Sequence, residues 1–156
     1  MLSSCCDFPV NAALLNPVSL TWTATGTNKA DAYNEENWVL LPSGKILTVD
    51  AYVPFGIPPP TCGTGSEIYD PATGAWSAGP STVVQLADCS GNRSFETGPH
   101  LLRPDGTVVA FGGTTTGPAH TSIYNSGANT WTPGPDIRPL VIVRDPERRG
   151  RRRWLW

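Results

Sequence analysis

The chain has 156 residues, among them 16 glycines and 16 prolines, with 15% charged residues and a net charge of −2. This composition favours a turn-rich all-β protein and argues against a helical bundle. No apolar run approaches the ~18 residues of a membrane-spanning helix, so no transmembrane segment is expected.

The N-terminal residues 1–13 predict an irregular segment. A secretory signal starts with a positively charged stretch ahead of an apolar one. Here no positively charged residue precedes the apolar part, and Pro9 and Asn11 interrupt it. No export signal is therefore predicted, and the compartment of the protein stays open.

Residues 14–27 predict the last strand of a repeated unit. The sequence LLNPVSLTWTATG resembles two later segments, IYDPATGAWSAGP and IYNSGANTWTPGP, in the spacing between a large residue and a following tryptophan. Leu15 takes the place of the tyrosine, and Trp22 is the tryptophan. The preceding part of the unit is not recognisable upstream.

Residues 34–80 predict a complete unit of four short strands. The predicted strands are Val39–Leu41, Ile46–Val49, Glu67–Tyr69 and a strand at Trp76. The turn sequences PSG (42–44) and DPATG (70–74) separate them, because proline presets φ and glycine tolerates positive φ. The second strand is a continuous apolar run, as expected of a strand buried on both faces.

Residues 96–135 predict a second complete unit. Its predicted strands are His100–Leu102, Val108–Phe111, Ser122–Tyr124 and a strand at Trp131. The sequence LLRPDGTVVAFGG (101–113) matches VLLPSGKILTVDA (39–51). Trp22, Trp76 and Trp131 then recur at one place in successive units, which indicates duplication.

The last residues, 136–156, break this pattern. Residues 138–156 carry seven arginines against Asp145 and Glu147, and no turn sequence of the repeat appears among them. The segment is predicted to be a basic tail that is disordered or read out of frame, with a deliberate basic tail as the alternative. The rest of the chain is acidic, so no specific nucleic-acid partner is expected.

A repeated four-stranded antiparallel unit of this length is typical of a β-propeller blade. The turn, the apolar run ending in Gly112-Gly113, and Tyr124 followed by Trp131 together resemble the kelch repeat. The likeness is to the kelch-type propellers of the galactose oxidase central domain and of bacterial kelch proteins. It predicts an all-β fold, a partial kelch-like propeller with two four-stranded antiparallel blades and one strand of a preceding blade.

The first complete blade departs from the kelch pattern. Asp50-Ala51 stands where the diglycine is expected. Because diglycine permits close approach of neighbouring backbones, the first blade is expected to pack differently at this point.

The resemblance implies a protein- or glycan-binding scaffold, with partners bound through the loops that join blades and with no cofactor and no catalysis in this chain. Two blades do not close a ring, since propellers have four to eight. A piece of a longer propeller, self-association, and a truncated or frameshifted product all stay open. So does a second functional class, a piece of a secreted carbohydrate-active copper radical oxidase-like enzyme whose catalytic residues are absent here.

The histidines do not match the copper site of such oxidases. In that family a Tyr-His pair precedes the first turn, whereas the corresponding positions here hold Glu96 and Thr97 in one unit. His100 and His120 are therefore predicted to be structural or surface residues, and no metal site is predicted.

The best candidates for ligand binding lie near the acidic sequence DAYNEEN (31–37). Asp31, Glu35 and Glu36 are predicted to face a ligand, because loops joining adjacent blades gather at one end of a propeller. Trp38 and Phe55 lie outside the repeat register and are predicted to take part in recognition. A solvated acidic loop is the alternative.

The recurring residues are predicted to be structural rather than functional: Tyr69, Tyr124, Trp22, Trp76, Trp131, Gly112 and Gly113. Cys62 and Cys89 both fall in predicted loops. A disulfide between them and two unrelated thiols are both open.

Overall fold

The computed structural model describes residues 2–4, 12–30, 36–50, 63–87, 97–114 and 118–138. Eleven strands lie in these residues: β1 Leu2–Ser4, β2 Ala12–Leu15, β3 Trp22–Thr25, β4 Val39–Leu40, β5 Ile46–Val49, β6 Ser66–Asp70, β7 Ala75–Ala78, β8 Thr97–Leu102, β9 Thr107–Gly112, β10 Thr121–Asn125 and β11 Thr130–Pro133. The described residues contain no helix, and hence none that is long and apolar enough to cross a membrane.

The strands form three antiparallel sheets, each in chain order. We call them the N-terminal sheet (β1-β2-β3), the middle sheet (β4-β5-β6-β7) and the C-terminal sheet (β8-β9-β10-β11). They confirm the all-β prediction with its two four-stranded antiparallel sheets. The middle and C-terminal sheets have the same simple up-and-down connectivity. Strand β8 begins at Thr97, upstream of its predicted start at His100, and its pairing with β9 is irregular between these two residues.

The N-terminal sheet contains more strands than the sequence predicts. An irregular segment over 1–13 and a single strand over 14–27 were expected, whereas Leu2–Ser4 pairs with β2, and β2 pairs with β3. The hairpin forms because Asn16 organises its turn. Its side-chain oxygen accepts hydrogen bonds from the Val18 and Ser19 backbone nitrogens at 2.9 and 3.2 Å.

The same turn recurs in the other two sheets. Asp70 accepts a hydrogen bond from the backbone nitrogen of Ala72 at 2.9 Å, and Asn125 accepts from those of Gly127 and Ala128 at 3.0 Å. Short Asn and Asp side chains stabilise such turns by bonding to backbone two or three residues ahead. Asn16, Asp70 and Asn125 are therefore equivalent turn residues.

A tyrosine and a tryptophan face each other across β6–β7 and again across β10–β11. Tyr69 pairs with Trp76 and Tyr124 with Trp131. Their ring centroids are 5.4 and 5.1 Å apart, both at 49°. In the N-terminal sheet Leu15 pairs with Trp22 at the same register. The predicted repeat is thus repeated in side-chain geometry as well.

Each tyrosine–tryptophan pair packs on the sheet that precedes it. Tyr69 and Trp76 form one buried cluster with Ala12 of the N-terminal sheet. The Tyr69 hydroxyl is also 2.6 Å from the Thr25 hydroxyl. Ala12 and Thr25 are opposite each other in the β2–β3 ladder and share a face.

The interface between the middle and C-terminal sheets is larger and is the main core. It joins the tyrosine–tryptophan pair of the C-terminal sheet to the apolar face of β4 and β5. Its buried members are Val39, Leu41, Leu47, Val49, Leu86, Val108, Ala110, Tyr124 and Trp131. Both faces of the middle sheet are therefore covered, as the apolar sequence of β5 predicts.

Each four-stranded sheet has a glycine where its second and third strands come close together. In the C-terminal sheet it is Gly112, at the end of the second strand, and in the middle sheet it is Gly65, opposite the end of the second strand. The Gly112 nitrogen donates to the His120 carbonyl at 2.8 Å, and a Cβ on Gly112 would meet that oxygen at 2.9 Å. At the equivalent place the Asp50 nitrogen donates to the Gly65 carbonyl at 3.2 Å. A Cβ on Gly65 would collide with the Asp50 carboxyl. The missing glycine of the first unit is thus replaced by a glycine on its partner.

Candidate functional site

The sequence-predicted ligand residues are only partly within the described residues. Asp31, Glu35 and Phe55 lie outside them, as do Cys62 and Cys89. Glu36 and Trp38 are described, and both lie next to β4 at the junction of the N-terminal and middle sheets. Their surroundings define the candidate site, a cluster of buried charges.

Lys29 is the centre of this cluster. Its Nζ lies 2.8 Å from Glu36 Oε1 and 2.7 Å from Glu67 Oε2, and all three side chains are at most 2% exposed. The ammonium is also 5.2 Å from the ring centroid of Trp76. Burial by itself would lower the Lys29 pKa, but the charges and hydrogen bonds of Glu36 and Glu67 outweigh it and raise that pKa to about 12.

The remaining carboxylate oxygens of the two glutamates also accept hydrogen bonds. Glu36 Oε2 accepts from the Thr48 hydroxyl at 3.2 Å and from the Trp38 indole nitrogen at 3.4 Å. Glu67 Oε1 accepts from the Ala30 backbone nitrogen at 2.8 Å. Buried charges persist when they are paired and hydrogen-bonded in this way.

Trp38 belongs to the core as well as to this cluster. Its ring lies 5.8 Å from that of Trp76, tilted by 58°. With its nitrogen bonded to Glu36, the indole links the charge cluster to the apolar contact between the sheets. In the described residues Glu36 and Trp38 therefore make packing and ion-pair contacts, and their predicted role in ligand recognition stays a prediction.

Asp50 adds a third carboxyl beside Glu67. It is 6% exposed, and its Oδ1 has no hydrogen-bond partner. Burial, and then the charge of Glu67, raises the pKa of Asp50 to about 8, against the opposing effect of Lys29. Asp50 is therefore mainly protonated at neutral pH, which reduces the negative charge of the cluster.

This arrangement is suited to holding two sheets together. It joins the segment after β3 to β5 and β6, with Lys29 as its cation. Among the residues that the structure describes, no three His, Cys, Asp or Glu side chains are placed to hold a metal ion. The carboxylate oxygens of Glu36 and Glu67 accept hydrogen bonds from the Lys29 ammonium and from other donors of the protein. We therefore interpret the cluster as a structural contact between the sheets.

The two histidines occupy different environments. His100 is buried in β8, its burial lowers its pKa to about 4, and neither ring nitrogen has a partner in hydrogen-bond geometry. The nearby Asn37 backbone acts on that pKa in the opposite direction. His120 is exposed, with Nδ1 2.7 Å from Asp136 Oδ1. The histidines are thus one core and one surface residue.

Asn37 connects the charge cluster to the C-terminal sheet. Its side-chain amide donates to the backbone carbonyls of Thr97 and Gly98, both at 3.0 Å. The Asn37 backbone carbonyl accepts a hydrogen bond from the Thr48 hydroxyl at 3.3 Å. These contacts bring the beginnings of β4 and β8 together. The residues that precede the first strands of the middle and C-terminal sheets therefore lie at one end of the sheets.

Sequence reasoning missed Lys29 and Glu67 as partners of Glu36. Lys29 is one of two lysines in the chain, and Glu67 lies in a core strand on the same face as the buried Tyr69. Such a charged residue in a core strand is a signal for a buried ion pair. Its partner cannot be identified until the strands are placed, since Lys29 is far away in sequence.

No protein-family model matches the chain, and no curated protein matches it.

Proposed function

We propose that the chain is part of a kelch-like β-propeller that acts as a binding scaffold for a protein or a glycan. The observation that carries this proposal is the stack of sheets of like construction. Tyr69–Trp76 and Tyr124–Trp131 have the same register, the same tilt and the same position against the preceding sheet. Face-to-face packing of up-and-down sheets around an axis is the architecture of propellers.

The ligand would bind at the end of the sheets where the charge cluster lies. Ala30 and Glu36, which flank residues 31–35, lie at this end, and so does Asp50, which precedes residues 51–62. The buried Lys29 pairs anchor these positions to the core. A rigid support under the predicted rim of Asp31, Glu35 and Phe55 is the usual construction of a loop-based binding surface.

A glycan array followed by titration tests this proposal. The full chain is expected to bind a defined glycan or peptide, and Asp31→Ala with Phe55→Ala is expected to weaken binding at least about tenfold, equivalent to 1.4 kcal/mol. Ser43→Ala with Asp105→Ala is the control, because these turns lie at the opposite end of the sheets. Equal loss in both variants, or no binding to any probe, would refute the binding rim.

The enzyme alternative concerns catalytic residues that are absent from this chain, so it is tested on the longer protein that it presupposes. Copper bound by that protein, together with hydrogen peroxide production from a sugar alcohol, would favour an oxidase. Binding of a glycan or peptide without either would favour the scaffold.

A further inference from the structure

We propose that this chain associates head to tail with a second copy of itself, through the two end faces of its stack of sheets. The tryptophan face is the side of the N-terminal sheet with Leu15 and Trp22. The leucine face is the side of the C-terminal sheet with Leu101, Val109 and Ile123. The proposal rests on the way the sheets pack and is independent of the ligand proposed above.

The tryptophan face lacks the cover that its equivalents have. Trp22 is 53% exposed, whereas Trp76 and Trp131 at the same register are 2% and 5% exposed. The adjoining turn carries the exposed side chains of Val18 and Leu20. Clustered exposed apolar side chains of this size indicate an interaction surface.

The direction in which Trp22 points follows from the ladder. Ala12 and Thr25 are opposite each other and contact the middle sheet. Leu15 and Trp22 are also opposite each other, an odd number of residues away along each strand, and so they lie on the other face. That face corresponds to the one on which Trp76 packs against a preceding sheet.

The leucine face has the complementary exposure. Leu101 is opposite Val109 in the ladder, and Val109 is opposite Ile123. The residue equivalent to Leu101 in the middle sheet is Val39, which is 7% exposed under the C-terminal sheet, whereas Leu101 is 51% exposed. The C-terminal sheet thus presents the surface that the middle sheet buries.

One chain therefore carries both halves of a contact that it makes twice internally. The contact always joins a tyrosine–tryptophan face to the opposite face of the preceding sheet, so it is heterologous and fits a second copy in head-to-tail orientation. One position differs, since Arg103 replaces the buried Leu41. An arginine can keep its aliphatic contact there while its guanidinium stays paired with the Asp105 carboxylate, at 3.3 Å.

Head-to-tail contacts either continue or close into a ring. The described residues of two copies supply six sheets, three from each chain, and closed propellers contain four to eight. A dimer with both contacts formed therefore falls within the range of closed propellers.

Sedimentation velocity of the full chain over about 1 to 100 µM tests the contact, a range suited to interfaces of moderate affinity. The unmodified chain is expected to form dimers or larger species as its concentration rises. Trp22→Lys and Leu101→Lys are each expected to stay monomeric, since each loses one face. An equimolar mixture of the two is expected to form a heterodimer and nothing larger, because one intact pair of faces remains.

Leu40→Lys is the control, because Leu40 is exposed but belongs to neither end face. It is expected to associate like the unmodified chain. Val18→Asp lies in an exposed turn and provides a second weakened tryptophan face in case Trp22→Lys does not fold. An unmodified chain that stays monomeric throughout, a mixture that stays monomeric, or dissociation by Leu40→Lys would each overturn the proposal.

Discussion

At the scale of single residues, Asp50 makes the stability of this protein depend on pH in an unusual direction. Its pKa rises from 3.8 to about 8 on folding, so the folded state keeps a proton that the unfolded state releases. Stability from this group is therefore complete below about pH 4 and declines up to about pH 8.

Asp50→Asn is expected to remove that decline. The amide retains the shape of the protonated carboxyl, and the variant should match the unmodified protein near pH 4. At pH 8 the free energy of unfolding of the variant should exceed that of the unmodified protein by at least about 1 kcal/mol, since one pKa unit corresponds to about 1.4 kcal/mol. Urea unfolding at several pH values measures the difference. Asp105→Asn, whose carboxyl has a pKa lowered by Thr107, should change in the opposite direction; parallel curves for Asp50→Asn and the unmodified protein would contradict this account.

His100 makes the stability of the protein depend on pH in the acidic range. Because burial lowers its pKa from 6.5 to about 4, the unfolded state binds a proton in this range that the folded state does not. Stability from this group is complete above about pH 6.5 and is lost as the pH falls towards 4.

His100→Leu is expected to stabilise the protein, by about 1–3 kcal/mol, because it removes two buried ring nitrogens that lack partners. The gain should grow as the pH falls from 6.5 to 4. Unfolding at pH 5 and pH 7 measures it, with His120→Gln on the surface as the matched control, for which a change within about 0.5 kcal/mol is expected. A loss of stability in His100→Leu at both pH values would show that the imidazole has a partner in solution.

At the scale of strands, the two four-stranded sheets solve one steric problem in opposite ways. A side chain at position 112 would collide with the backbone oxygens of Leu86 and His120, and the residue there is glycine. At the equivalent position 50 the residue is aspartate, and the glycine is Gly65 on the neighbouring strand. The contact at Gly65 is with a side chain, and removing that side chain should relieve it.

Gly65→Ala is therefore expected to destabilise the protein by about 1–3 kcal/mol, as overpacking does in closely packed sites. In an Asp50→Gly background the same substitution should cost almost nothing, so a double-mutant cycle should give a coupling energy near the full single-site effect. Gly63→Ala is the control, because a Cβ there meets only the Gly65 nitrogen, at 3.8 Å. If the effects of Gly65→Ala and Asp50→Gly on the free energy of unfolding were additive, the glycine at position 65 would not be required by the Asp50 side chain, and this explanation would be wrong.

The strands and their turns could be predicted from the sequence because their signals are local. Alternation, apolar runs and Asn or Asp turns each depend on neighbouring residues. The hairpin at Asn16 could have been found by the same turn rule. The Lys29–Glu67 pair and the exchange between Asp50 and Gly65 could not, because each depends on which strands become neighbours and in which register.

At the scale of the whole molecule, stability comes from contacts between successive sheets. The N-terminal sheet touches the middle one, and the middle one touches the C-terminal one, as the two buried clusters show. In such stacked architectures stability is close to a sum of units and nearest-neighbour interfaces. The contribution of a tryptophan should then depend on which sheet face it covers.

Trp131→Ala is expected to lower the free energy of unfolding by about 3–5 kcal/mol, the usual cost of removing a buried aromatic side chain. Trp22→Ala, at the equivalent register, should cost less than about 1 kcal/mol in dilute solution, because its side chain stays half in water. At concentrations where copies associate, the loss for Trp22→Ala should grow, since association stabilises only chains that can form the contact. Denaturant titrations of both variants at two protein concentrations separate the stability lost within one chain from the stability lost because copies no longer associate. A cost for Trp22→Ala that equals that of Trp131→Ala in dilute solution would mean that Trp22 is already covered within a single chain, and the nearest-neighbour description would then be incomplete.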